Sequence, residues 1–168
     1  MPDTSTEVVI ASQTLGSTAA TINFTSIPAT YTDLRVVISG IQSSNYLAPT
    51  MILNSDSGTN YSNTKIKGNG SAASSSRNTN SNRLGSADEF TGDATIPNFV
   101  TFDIFSYAGS TNKTCLWTYS LDANGSGNVT RGVGLYRSAS VITTVTINNS
   151  GWGTDFAAGS VATLYGIL

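Results

Sequence analysis

The chain has 168 residues, of which 39% are hydrophobic and 11% charged, and its net charge is -2. An ordinary globular domain carries about 25% charged residues, so Ser, Thr, Asn and Gly supply the polar surface here, and the low net charge excludes the usual disordered composition. A single domain of this length buries roughly 70% of the surface its unfolded chain exposes, and its core needs no metal or disulfide. Eight Lys and Arg, scattered along the chain, stand against ten Asp and Glu, which argues against nucleic-acid binding by phosphate neutralisation. The first seven residues lack the positive region and apolar run of a signal peptide, and no apolar stretch is long enough to span a bilayer. Synthesis in a cytoplasm, with no membrane partner, is the expectation.

Alternation of apolar and polar residues recurs from end to end and predicts strands with one buried face; helical spacing is absent. Residues 7–15 and 21–25, separated by Gly16-Ser17, predict an opening hairpin with Ile22 and Phe24 on one face, closed by Ile27-Pro28. Residues 34–39 turn Leu34, Val36 and Ile38 one way. Met51-Ile52-Leu53 predicts a short strand that enters a turn at 54–58. The best hairpin joins 99–105 to 113–121 through Gly109-Ser110; its second strand aligns Cys115, Trp117, Tyr119 and Leu121 and ends in Asn124-Gly125, a pair suited to positive φ. Further strands are predicted at 130–136, 141–147 and 160–167. Together they predict an all-β fold of one domain, an antiparallel sandwich, jelly-roll-like, of about eight strands. Ile22, Phe24, Val36, Ile38, Phe102, Ile104, Trp117 and Val145 are the expected core. Residues 62–92 are small and polar almost throughout and predict a long polar loop.

The sequence contains no His, which removes the commonest general base, the Ser-His-Asp and Cys-His arrangements and most transition-metal sites. No Walker-type phosphate loop is present, and no cofactor is expected. Asp56, Asp88, Glu89, Asp93, Asp103, Asp122 and Asp155 are available for a glycosidase-type carboxylate pair, but most occupy turn contexts where Asp is favoured for local hydrogen bonds. Asp103 is mid-strand, on the face opposite Phe102 and Ile104. Asn54, Asp56, Gly58 and Asn60 loosely resemble a calcium loop but lack the bidentate carboxylate such a site uses, so a tight turn leading to Tyr61 is the expectation. The lone Cys115 is expected in the core. A non-enzymatic protein follows. Its candidate interface or ligand-contact residues are Tyr46, Tyr61, Arg77, Arg83 and Trp152. Trp152, in a glycine-rich turn, either packs over the end of the sandwich or contacts a ligand.

The segment Ile22-Asn23-Phe24-Thr25-Ser26-Ile27-Pro28, continuing to Leu34, resembles the opening of small structural proteins of tailed bacteriophages, cyanophages among them. Ala157-Ala158-Gly159-Ser160 followed by Leu164-Tyr165-Gly166-Ile167 resembles their closing strand, and 54–61 and 137–146 fit their interior. The resemblance implies a β-sandwich acting as a capsid cement or decoration protein, often a homotrimer. That role places it on the outer capsid surface of a virion, with the major capsid protein as partner. The alternative it implies is a receptor-binding tip module of a tail fibre or tailspike, with a host surface glycan as partner. A chain entering its first strand by Glu7 leaves little room for a fibre shaft, which favours decoration.

Overall fold

The computed structural model describes residues 6–40, 48–85, 96, 98–149 and 155–168. Within them lie eleven strands and no helix: β1 (Glu7–Thr14), β2 (Thr21–Phe24), β3 (Asp33–Gly40), β4 (Pro49–Leu53), β5 (Tyr61–Gly68), β6 (Ala73–Ser81), β7 (Asn98–Ile104), β8 (Lys113–Asp122), β9 (Gly127–Tyr136), β10 (Val145–Asn149) and β11 (Val161–Ile167). Eight form one sheet in the order β1-β11-β3-β7-β8-β9-β5-β6, and three form a second in the order β2-β10-β4. Every pairing is antiparallel. The all-β sandwich expected from alternation is therefore present, with more strands than about eight.

Side chains on a strand point to opposite faces in turn. Along β8 this buries Cys115, Trp117, Tyr119 and Leu121 and turns Leu116, Thr118 and Ser120 outward. All eight expected core residues are buried, and they join one cluster that both sheets line. Burying a large apolar side chain contributes roughly 1.5–3 kcal/mol, so this cluster is the main source of stability. Cys115 lies in it, and burial pushes its thiol pKa up, which keeps it protonated and unreactive. Trp117 covers Gly132 on the neighbouring strand and stacks on Tyr119, with ring centroids 4.9 Å apart. At the end of the β7–β8 hairpin, Asn124 and Gly125 adopt φ of 50° and 116°, as the Asn-Gly pair predicts.

Two expectations are corrected. The opening hairpin does not form: β1 pairs with β11 in the larger sheet, whereas β2 pairs with β10 in the smaller one. The chain crosses between layers where a turn was expected: β1 pairs its backbone with the edge of β11, and β2 buries Ile22 and Phe24 from the smaller sheet. The predicted loop over 62–92 is in large part a hairpin. β5 and β6 pair along most of their length, and β5 adds to β9. Their turn is held by Asn69, whose Oδ1 accepts from the backbone N–H groups of Ser71 (3.0 Å) and Ala72 (2.8 Å). Side chains on both faces of β6 are exposed along nearly all of it, so its strand form rests on the backbone ladder and not on burial. The rest of that expected loop beyond Gly85 lies outside the described residues.

The segment between β4 and β5 is a tight turn. Asn54 and Ser55 have φ of 52° and 55°, and Asp56 accepts from the Gly58 N–H and the Asn60 side-chain amide, both at 2.9 Å. The Asn60 bond and then the Gly58 bond hold the Asp56 carboxyl below the usual carboxylate range. A depressed folded pKa adds stability that is present above the unfolded value, about pH 4, and is lost as pH falls through the folded value. Asp56→Ala is expected to cost about 1 kcal/mol at neutral pH, and urea melts at descending pH should show the difference from the unmodified protein shrinking below pH 4.

Candidate functional site

The smaller sheet covers the middle of the larger one: inner-face burial is complete along β3, β7 and β8 and missing along β6. The other face of the larger sheet is open among the described residues. The register sets Leu116 beside Val133 and Val133 beside Thr64, while Arg131 lies beside Ile66. One row farther along, Phe99, Ser120, Val129 and Gly68 stand side by side on β7, β8, β9 and β5. Ile66 is 60%, Val129 57% and Phe99 50% exposed, a concentration of apolar surface on one face.

That last row runs into a cleft of about 710 Å3 at the end of the sheet. The β5–β6 turn supplies Gly68, Asn69 and Gly70, and the β8–β9 turn supplies Asp122, Gly125, Ser126 and Gly127. Phe99, Ser120 and Val129 line it from the sheet. Among the described residues its lining contains one carboxylate and no Lys or Arg, and it is a shallow, open depression. Asp122 Oδ1 accepts from the Asn124 N–H at 2.9 Å, which fixes the carboxylate at the rim.

The residues singled out from the sequence do not converge on this cleft. Tyr61 is fully buried, so it is a core residue and not a surface contact. Its ring stacks on Tyr136 at 4.7 Å, while its hydroxyl donates to the Asp56 carbonyl (2.9 Å) and accepts from the Leu53 N–H (3.1 Å). Burial raises its pKa. Arg77 is exposed on β6, and its Nε donates to Thr64 Oγ1 at 3.2 Å. Arg83 follows β6 and donates from Nε to Asn82 Oδ1 at 2.8 Å. Tyr46 and Trp152 lie outside the described residues, as do Asp88, Glu89 and Asp93. What the sequence reading missed is Phe99 and Val129. Their signal was parity: Phe99 shares its phase with Asp103, and Val129 with Arg131, so both belong to the outer face.

The cations are less scattered in space than in sequence. Lys65, Lys67, Arg77 and Arg131 lie on β5, β6 and β9, and Arg83 and Arg137 lie just beyond the ends of β6 and β9. Arg35, on β3, lies apart from them. Its Nε donates to Asp103 Oδ1 (2.6 Å) and its Nη1 to Glu7 Oε1 (2.5 Å). The Asp103 hydrogen bond is the largest cause of the raised Arg35 pKa. Asp103 is thus on the outer face as predicted, tied with Glu7 to one guanidinium. Such a bridged pair is arranged as a cross-strand clasp; glycoside hydrolysis needs one carboxyl protonated and one ionised across an open gap. Among the described residues no group of three His, Cys, Asp or Glu side chains is placed to hold a metal ion.

Fold and surface together define a class: an all-β protein of two antiparallel sheets sharing one core, with an open sheet face that ends in a cleft bearing the Asp122 carboxylate. No family model, curated protein or solved structure matches the chain.

Proposed function

We propose that this protein is a non-enzymatic virion component, a capsid cement or decoration protein that binds the outer surface of an assembled capsid and reinforces it. The observation that carries this reading is the open outer face of the larger sheet, where Val133 is exposed beside Leu116 and Ile66 is exposed beside Arg131. A broad, partly apolar face suits docking onto another protein. The resemblance of residues 22–34 and 157–167 to phage structural proteins supplies the partner, the major capsid protein, and a homotrimer as the working unit. Reinforcement needs only binding energy. A ligand that recognises the assembled shell and not its separated subunits stabilises the shell by mass action, and repetition over a lattice multiplies the contacts.

Particles lacking the protein are expected to assemble and package DNA but to break at lower temperature and under milder osmotic shock. Adding back the purified protein should restore resistance, and adding back Ile66→Glu/Val133→Glu should not. The second reading, a receptor-binding tip module, is favoured by the cleft. Depleted particles that stay robust yet no longer adsorb to host cells would establish it in place of the first.

A further inference from the structure

We propose that the cleft between the β5–β6 and β8–β9 turns binds a short neutral oligosaccharide. Phe99 and Val129 lie under the sugar faces, and Ser120, Asp122 and Asn69 meet the hydroxyls. The row Phe99, Ser120, Val129, Gly68 crosses four strands, roughly 14 Å at the usual strand spacing. A strip of that length accommodates two or three pyranose rings. A pyranose presents C–H bonds on its faces and hydroxyls around its edge. The strip offers two half-exposed apolar side chains with a hydroxyl between them, and a rim of amides and one carboxylate. Asn69 Oδ1 is committed to its own turn, which leaves its amide nitrogen to donate, while Asp122 accepts. With no Lys or Arg among the described lining residues, an anionic ligand finds no counter-charge there, and the Asp122 carboxylate repels it.

Gly68 is the independent observation. Its φ is not in the left-handed region, and among the described residues a Cβ built on it meets nothing within 4 Å, so neither its backbone nor their packing requires glycine there. Gly68 closes β5, and a glycine in a strand packs no side chain and marks a bulge, a bend or a place where a ligand or another backbone approaches closely. Its effect here is to leave the end of the strip open. The reading holds wherever on a particle the protein sits, and the particle-reinforcement experiment is separate from it.

The test is titration of isotopically labelled protein with maltotriose, cellotriose and triacetylchitotriose, followed by amide NMR. Sialyllactose and an extended Ser/Thr peptide serve as comparators. At least one neutral trisaccharide should bind saturably, with a dissociation constant on the order of 1 mM, and should shift the amides of Gly68, Gly70, Gly125 and Gly127. Gly68→Gln should melt as the unmodified protein does and bind about tenfold more weakly, and Phe99→Ala should weaken binding similarly. Three results would overturn the proposal: no shift from any neutral sugar at concentrations on the order of 10 mM, undiminished binding by Gly68→Gln, or saturation by the acidic sugar or the peptide alone.

Discussion

Phe102→Asp is expected to yield no folded protein. Phe102 is fully buried in the middle of the larger sheet, between Val36 and Trp117 in register, and its ring meets Tyr119 edge-on at 6.1 Å. Removing a buried Phe side chain costs roughly 3–5 kcal/mol through lost transfer energy and cavity. An unpaired carboxylate in the same place adds several kcal/mol more, since the one neighbouring guanidinium, Arg35, lies on the opposite face. The sum reaches the whole stability of an ordinary domain, about 5–15 kcal/mol. Far-ultraviolet circular dichroism and a one-dimensional proton spectrum of the purified variant should show loss of the β signal and of dispersed methyl resonances. Phe102→Leu, which keeps the site apolar, should fold with a loss of about 1.5 kcal/mol. A folded Phe102→Asp protein at neutral pH would contradict the packing described for β7.

The second large effect is expected at Gly132. A Cβ there would stand 2.0 Å from Trp117 Cζ2 and 2.2 Å from Cε2, which no side-chain adjustment of a few tenths of an ångström relieves. The indole has no free direction to move, being 1% exposed and stacked on Tyr119. Gly132→Ala must therefore displace the ring or separate β8 from β9, at about 3 kcal/mol or more for overpacking. In a chain of this length that is a fall in melting temperature of roughly 6–12 °C. The near-ultraviolet dichroism of the tryptophans should change with it. Gly132→Ala combined with Trp117→Leu should recover part of the loss, because the smaller side chain vacates the space the methyl needs, and a double-mutant cycle would measure the coupling. Gly68→Ala, where the space is open, should be neutral or stabilising by about 0.5 kcal/mol. Equal losses at the two glycines would refute this account of the β8–β9 packing.

Alternation along the chain was enough to determine the all-β class, the inward phase of β3, β7 and β8, the β7–β8 hairpin and the whole set of eight core residues from Ile22 to Val145. It also placed Cys115 and Trp117 inside and Asp103 outside, since a period of two assigns each side chain a face wherever one face is buried. Strand partnership was not legible. β1 and β2 read as a hairpin because they are neighbours with a turn between them, yet they enter different sheets; their partners, β11 and β10, lie more than a hundred positions away in sequence. β5 and β6 were hidden for the complementary reason. Their Ser, Asn and Lys side chains carry little burial signal, and they are strands because β9 offers an unpaired edge whose backbone groups need partners. The candidate site follows from those same pairings: only the register of β5 on β9 and of β9 on β8 brings Gly68, Val129 and Ser120 into line with Phe99. Period and face are local properties that a sequence carries residue by residue, whereas which edges meet is decided by the free energy of the whole assembled core, so the outer face and its cleft exist only in the tertiary structure.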